Sequence, residues 1–161
     1  MDNNFSIIIP IYNEEKNITD LIIEINNYLS NVNYKFEIIL IDDYSNDQTQ
    51  KVLEKLKKKY NIKYFNNKKN MGQSFSIQSG VRKSKFDTIV TLDGDGQNNP
   101  KDINSLLKIY FSDDDLFLVG GIREKRKDNI LKMISSKIAN KIRGYILSDD
   151  CKDTGCSLKV F

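Results

Sequence analysis

The chain has 161 residues, of which 39% are hydrophobic and 29% are charged. This length is typical of one domain, and the composition excludes both a disordered polyelectrolyte and a membrane-embedded protein. Met1 is followed by Asp2 and Asn3 rather than by a basic and then an apolar segment, and there is no run of about 18 apolar residues. We therefore expect neither a secretion signal nor a membrane span.

The chain contains no histidine and only two cysteines, Cys151 and Cys156. A zinc site is disfavoured because the thiols have too few co-ligands, and a reduced, cytosolic compartment is expected. Cys156 is interpreted as a small buried residue. Without histidine, polar chemistry must rest mainly on carboxylates, amides and cations.

The net charge of +3 is unevenly distributed along the chain. Residues 123–143 contain eight basic and two acidic residues, so this stretch carries +6 and the remainder −3. Such asymmetry indicates either an anionic partner or a solvated helix face. The basic residues are Arg123, Lys125, Arg126, Lys127, Lys132, Lys137, Lys141 and Arg143.

Short apolar, β-branched runs alternate with helical periodicity through the first 121 residues. Strands are predicted over 5–12, 36–41, 62–65, 87–92 and 116–119, and the alternation favours an α/β fold with a mainly parallel sheet. The last three residues, 159–161, have the character of another strand.

Four helices are predicted between these strands. The first buries one face, the second is capped by Ser45, Asn46 or Asp47, the third spans 73–83, and the fourth has Pro100 in its first turn. The residues expected on the buried faces are Ile18, Leu21, Ile22, Ile25, Tyr28 and Leu29 in the first helix, Val52, Leu53, Leu56 and Tyr60 in the second, and Ile103, Leu106, Leu107 and Tyr110 in the fourth.

After Gly121 an amphipathic basic helix is predicted, with isoleucine at every fourth position from Ile130 to Ile142. Its apolar face could lie on a membrane surface or pack against the sheet. Core packing is the favoured interpretation.

Polar residues follow three of the predicted strands, and each group alone is consistent with a surface turn. In an open parallel sheet, however, ligands bind beyond the carboxyl ends of the strands, where these three groups would meet. The groups are residues 10–14, residues 42–43 and residues 93–97.

The sharpest signal is the sequence Asp93-Gly94-Asp95. Two carboxylates one residue apart, with glycine allowing close backbone approach, offer hard oxygen ligands for Mg²⁺ or Mn²⁺ shared with substrate phosphates. An EF-hand is excluded because Asn98 and Asn104 replace its required Gly and Glu. The chain also lacks the glycine patterns of dinucleotide-binding Rossmann domains and of P-loop NTPases.

Seven ordered motifs resemble the family 2 glycosyltransferases, specifically the polyprenyl-phosphate (dolichyl-phosphate-like) sugar transferases. They cover the chain from about residue 5 to its end: IIIPIYNEEKNI, EIILIDDYSNDQT, NMGQSFSIQSG, TLDGDGQNNP, GGIREKR, ISSKIAN and DTGCSLK. The resemblance implies a GT-A-like nucleotide-diphospho-sugar transferase fold, with a Rossmann-like, mainly parallel central sheet and helices on both faces.

The resemblance also assigns roles in donor binding. Asp42 would contact the base or ribose and Asp43 would support the loop. Asp93 would hold the sugar-nucleotide side, while Asp95 and Gln97 would complete a Mg²⁺ or Mn²⁺ site on the diphosphate. The residues implied to lie along the nucleotide are Pro10, Tyr12, Asn13 and Glu14.

The acceptor side is implied to lie later in the chain. Arg123 would meet a phosphate of the donor or acceptor, and Ser136 matches the family's acceptor-phosphate serine. Lys132 stands where some relatives have arginine. Lysine keeps the positive charge but lacks the planar guanidinium group that can bind a phosphate through two N–H donors. Asp153 matches an aspartate near the acceptor, and we group it with Asp95 and Arg123 as candidate catalytic residues.

The expected activity is inverting transfer of one sugar from a UDP- or GDP-sugar to polyprenyl phosphate, whose anionic form needs little help from a base. Two alternatives stay open: transfer to a sugar hydroxyl in cell-surface polysaccharide synthesis, and a non-catalytic nucleotide-binding module. The expected location is cytoplasmic and peripheral, at the inner face of the cytoplasmic membrane. No nucleic-acid partner is expected, and a homo-oligomer is left open.

The whole chain, 1–161, is interpreted as a single catalytic domain. Residues 1–121 would form the nucleotide-sugar-binding part. Residues 122–161 would begin an acceptor-binding part that is expected to be truncated, because relatives continue beyond this point.

Overall fold

The structure is a computed structural model that describes residues 3–30, 32–122 and 155–161. Six strands and four helices lie in these ranges. Their bounds are β1 Phe5–Ile11, α1 Ile18–Leu29, β2 Phe36–Asp42, α2 Thr49–Lys59, β3 Ile62–Asn66, α3 Gln73–Val81, β4 Thr88–Thr91, α4 Asp102–Tyr110, β5 Val119–Gly120 and β6 Lys159–Val160.

The strands form one sheet in the order β3-β2-β1-β4-β6-β5. The first four pair in parallel, whereas β6 inserts antiparallel between β4 and β5. The predicted mainly parallel α/β fold is therefore confirmed. The strand order reverses at β1, because β2 lies on one side of it and β4 on the other, which creates the kind of crevice that binds ligands in such sheets.

Alternation along the strands divides the core between the two sheet faces. Ile7, Ile9 and Ile11 of β1 belong to the larger cluster, which also contains the buried residues of α1, α2 and α4. Ile8 belongs to a smaller cluster with Ile39, Ile41 and Ile89. Helix α3 packs over that face against β1 and β2, so the predicted helices on both faces are confirmed.

Most predicted core residues are buried, with four exceptions. Tyr28 is 46% exposed, and Val52, Tyr60 and Tyr110 are only partly buried. Tyr28 is therefore a wrong prediction for the core. The long ring of tyrosine can lie at the edge of a helix's apolar stripe with its polar tip in water, and helical spacing alone does not separate the edge of the stripe from its centre.

Most element boundaries also differ slightly from the prediction, and the largest difference is at the start of β5. Strand β5 contains only Val119 and Gly120, whereas Phe117 is 87% and Leu118 54% exposed, because Leu116 closes a turn after α4. Helix α2 begins at Thr49 after Gln48, which makes no side-chain cap. Of the three predicted caps, Asp47 is the one whose carboxylate accepts the Thr49 backbone N–H, at 2.9 Å.

The predicted basic helix, the stretch 123–143 and Cys151 lie outside the described residues. Cys156 is buried, as predicted, with its thiol 3.6 Å from Asn98 Oδ1. Within the described ranges, no helix combines the length and the apolar character needed to cross a bilayer.

Candidate functional site

A cleft of about 230 Å³ opens at the carboxyl edge of the sheet, beside the point where the strand order reverses. It is formed by residues that follow β1, β2 and β4, together with the first residue of α3. The predicted meeting of the three polar groups is thus confirmed. The lining residues are Pro10, Ile11, Tyr12, Glu14, Asp43, Gln73, Asp93, Gly94 and Asp95.

Two segments that line the cleft, one after β4 and one at the end of β1, lie in close contact at Gly94. A Cβ atom built on Gly94 would lie 3.2 Å from the carbonyl oxygen of Pro10. Gly96, two residues later, has φ +72°, a conformation that L side chains rarely adopt. Gly94 therefore lets the loop after β4 approach the end of β1, and Gly96 lets the same loop turn.

Asp93 and Asp95 both line the cleft, and each carboxylate is oriented by an N–H donor. The backbone N–H of Gln97 donates to Asp95 Oδ1 at 2.9 Å, and the Gln73 side chain donates to Asp93 Oδ1 at 2.5 Å. The side chain of Gln97 is exposed and is not among the lining residues. Its predicted role as a metal ligand stays a prediction.

The residues fit a divalent cation that is shared with a phosphate ligand. In the described part of the chain, no three His, Cys, Asp or Glu side chains are grouped so as to hold a metal alone. Mg²⁺ in such sites is bound through one or two carboxylates and completes its shell with phosphate oxygens and water. Two cleft-facing aspartates meet that requirement, because a diphosphate would supply the missing oxygens.

The adjacent residues Asp42 and Asp43 lie in different surroundings. Asp42 is fully buried and accepts hydrogen bonds from Ser45 and from Gln50 Nε2, the latter at 3.2 Å. Asp43 lines the cleft, although its side chain is only 4% exposed. The contact predicted between Asp42 and a base or ribose stays a prediction, since Asp42 is not among the lining residues.

The carboxylate of Asp43 holds the loop that precedes α3. It accepts hydrogen bonds from Asn67 Nδ2 at 2.7 Å, Met71 N at 2.8 Å and Gly72 N at 2.7 Å. Burial by itself raises the pKa of this carboxyl, but these donors outweigh burial and leave the pKa below its ordinary value of 3.8. Asp43 is therefore ionised at neutral pH and adds negative charge to the cleft.

The loops after β1 and β2 are joined by hydrogen bonds that cross between them. The Asn13 N–H donates to Ser45 Oγ and the Glu14 N–H to buried Thr49 Oγ1, both at 2.9 Å. In the opposite direction, Asn46 N donates to Asn13 Oδ1 at 2.9 Å. Glu14, which lines the cleft, is thereby held by its own backbone.

Two residues of these joined loops have left-handed backbones, Asn13 with φ 57° and Tyr44 with φ 70°. Asparagine tolerates this region, but a bulky tyrosine is an outlier there. Such conformations persist where the surrounding structure imposes them, and they cluster at binding sites. Tyr12 and Tyr44 are 47% and 56% exposed at this edge.

Gln73 was not among the residues predicted from sequence to form the site. The sequence did contain a signal for it. A helix that follows a parallel strand begins at the carboxyl edge of the sheet, and Gly72 marks the start of α3, so the first residue of α3 could be expected near the site. The predicted acceptor residues Arg123, Lys132, Ser136 and Asp153 lie outside the described residues.

Comparison with known proteins agrees with this architecture. The chain is 33% identical over 159 residues to a dodecaprenyl-phosphate galacturonate synthase of Rhizobium johnstonii, covering 97% of this chain and 47% of the relative. It is 31% identical over 161 residues to an undecaprenyl-phosphate 4-deoxy-4-formamido-L-arabinose transferase of Pectobacterium atrosepticum, covering 98% and 48%. The chain thus spans about half the length of these curated relatives.

A solved structure shares this fold. It is glucosyl-3-phosphoglycerate synthase from Mycobacterium tuberculosis in complex with Mn²⁺, UDP and phosphoglyceric acid, with a TM-score of 0.74 and 15% identity over 98% of this chain and 55% of that one. The sequence profile described as "Glycosyl transferase family 2" matches residues 6–160. The chain therefore belongs to glycosyl transferase family 2.

Proposed function

We propose that this chain provides the donor-binding part of an enzyme that transfers a sugar from a nucleoside-diphosphate sugar to a polyprenyl phosphate. The observation that carries the proposal is the cleft at the strand reversal, into which Asp93 and Asp95 project from the end of β4. The two curated relatives support the acceptor class, because both are named for transfer to a polyprenyl phosphate.

The cleft residues divide into two chemical groups. Tyr12, Glu14 and Asp43 lie near the ends of β1 and β2, where aromatic and carboxylate groups could hold a nucleoside. Asp93 and Asp95 would hold a Mg²⁺ or Mn²⁺ ion. Such an ion supplies positive charge to a leaving diphosphate.

The acceptor and membrane roles rest on the later part of the chain. We assign Arg123, Lys132 and Ser136 to the acceptor phosphate and Asp153 to its neighbourhood, with residues 1–121 binding the donor. The basic stretch 123–143 would attract the protein to anionic lipid headgroups. A peripheral position at the inner face of the cytoplasmic membrane follows from a lipid-linked acceptor.

Donor binding is the first test, because it needs only the described cleft. The melting temperature of the chain should rise when UDP, GDP or a common UDP- or GDP-sugar is added together with Mn²⁺. The rise should increase with the ratio of the ligand concentration to its Kd. Asp95→Ala should abolish the metal-dependent part of the rise, whereas Asp114→Ala, an exposed aspartate after α4, should not. No rise with any nucleotide contradicts the proposal.

The transfer itself is tested by incubating the chain with the donor identified in this way, Mn²⁺ and polyprenyl phosphate. A glycolipid product supports the lipid acceptor. Transfer to a free saccharide in place of the lipid contradicts it and favours a hydroxyl acceptor. Because the relatives are about twice as long as this chain, one of them assayed in parallel is the positive control for a slow reaction.

A further inference from the structure

One side chain from another element reaches across the cleft to the aspartate pair. Gln73, the first residue of α3, donates from Nε2 to Asp93 Oδ1 at 2.5 Å, and both residues line the cleft. The Gln73 amide presents its NH₂ group to Asp93, because Nε2 is the donor and the carboxylate oxygen is the acceptor. The contact therefore has a defined donor and a defined acceptor.

The position of Gln73 is set by the buried carboxylate of Asp43. Asp43 accepts the N–H groups of Met71 and Gly72, the two residues before Gln73, and Gly72 has φ +88°. Gly72 then starts the helix, because its carbonyl accepts the Ser76 N–H at 3.1 Å. The start of α3 is thus anchored on the inner side, although the Gln73 side chain itself is exposed.

The two aspartates differ in how they are oriented. Asp95 is held by a backbone N–H of its own loop, from Gln97, whereas Asp93 receives the side-chain donor of a different element. Changing the side chain of residue 97 leaves the first contact in place, but changing residue 73 removes the second. Asp93 therefore receives a side-chain donor that a single substitution at position 73 removes.

We infer that Gln73 is a positioning residue that holds Asp93 in the orientation needed for metal-dependent nucleotide binding. The inference rests on the proposed donor site. Partners that orient metal-binding carboxylates typically contribute tenfold to hundredfold to metal affinity or activity. Because the Gln73–Asp93 contact is exposed, the lower end of that range is expected here.

The test is calorimetric titration of the chain with UDP and with GDP, each with and without Mn²⁺. Gln73→Met keeps the length of the side chain but removes the donor. It should weaken nucleotide binding about tenfold when Mn²⁺ is present and leave metal-free binding unchanged. The matched control is Gln78→Met, the same change at an exposed position of α3 that does not line the cleft, and it should leave both affinities unchanged.

The outcomes separate this inference from the proposed function. If the unmodified chain binds neither nucleotide, the proposed donor site is wrong and the role of Gln73 is wrong with it. If the unmodified chain binds with Mn²⁺ and Gln73→Met binds equally well, only the role of Gln73 is overturned. Equal weakening with and without Mn²⁺, or a loss matched by a lower melting temperature, also overturns it, since either points to nucleotide contact or general damage.

Discussion

The buried carboxylate of Asp43 connects the end of β2 to the loop before α3. It accepts hydrogen bonds from Asn67, Met71 and Gly72 and also lines the cleft. The same side chain therefore holds the loop before α3 in place and contributes negative charge to the candidate site. Removing its charge should therefore affect folding and ligand binding together.

Asp43→Asn should lower the free energy of unfolding by about 2 kcal/mol, because the amide keeps only one acceptor oxygen and at least one of the three N–H donors then faces an NH₂ group. Urea denaturation at neutral pH measures the loss. The control is Asp114→Asn at an exposed position after α4, which should change stability by less than about 0.5 kcal/mol. Equal effects of the two substitutions would contradict the anchoring role of Asp43.

Helix α3 approaches the sheet closely because it carries a glycine at the contact. A Cβ atom on Gly80 would lie 2.3 Å from Ile8 Cγ2, which is far inside normal contact distance. Ile8 is fully buried in the middle of β1, so neither side chain nor strand can move away without disturbing the smaller core cluster.

Gly80→Ala should lower stability, because overpacking costs about 1–3 kcal/mol and outweighs the gain in helix propensity of about 1 kcal/mol. Thermal and urea denaturation both report the change. Gly120→Ala in β5 is the matched control, since a Cβ atom there meets nothing within 4 Å. A stabilised Gly80→Ala chain would show that α3 lies farther from β1 than the structure places it.

The end of the sheet opposite the cleft is held together by a hydrogen-bond network around Glu37. At the end opposite the cleft, Glu37 accepts hydrogen bonds from Ser6 Oγ at 2.8 Å, Lys63 Nζ at 2.7 Å and Lys85 N at 2.5 Å. These contacts join β1, β2, β3 and the segment before β4. Burial alone raises the pKa of Glu37, but its donors, led by Lys63, bring the pKa below the ordinary value of 4.5.

Glu37 should therefore make stability depend on acid pH. Because its folded-state pKa is lowered, its contribution is complete above the ordinary value of 4.5 and is lost as the pH falls through the folded-state value. Glu37→Gln should lower stability at neutral pH by about 2 kcal/mol and should flatten the decline between about pH 5 and pH 3. Urea denaturation across this pH range measures both effects.

The same variant distinguishes the two ends of the sheet. Since Glu37 does not line the cleft, nucleotide affinity of the folded Glu37→Gln chain should stay within about twofold of the original. Asp43→Asn should alter both stability and affinity. Loss of affinity in Glu37→Gln at a temperature where it is folded would contradict this separation.

Hydrophobic periodicity in the sequence was sufficient to predict the α/β alternation, the mainly parallel sheet and most of the buried core residues. It was also sufficient to place three polar groups at one edge, because the carboxyl ends of parallel strands must lie together. Its failures lie where contacts are not periodic: Tyr28 lies at the exposed edge of its helix's apolar stripe, and β5 begins only at Val119 because a turn follows α4.

The amino-acid sequence alone was enough to predict the fold class, the family and the presence of the Asp93–Asp95 pair. These features depend on hydrophobic spacing and on short contiguous motifs, which can be read without a structure. Only the tertiary structure decided that Asp43 faces the cleft while Asp42 is buried beside Ser45, and that Gln73 meets Asp93 from 20 residues away. The physical reason is that such contacts depend on how strands and helices pack together in space. A local sequence pattern does not determine which distant N–H group donates a hydrogen bond to a given carboxylate.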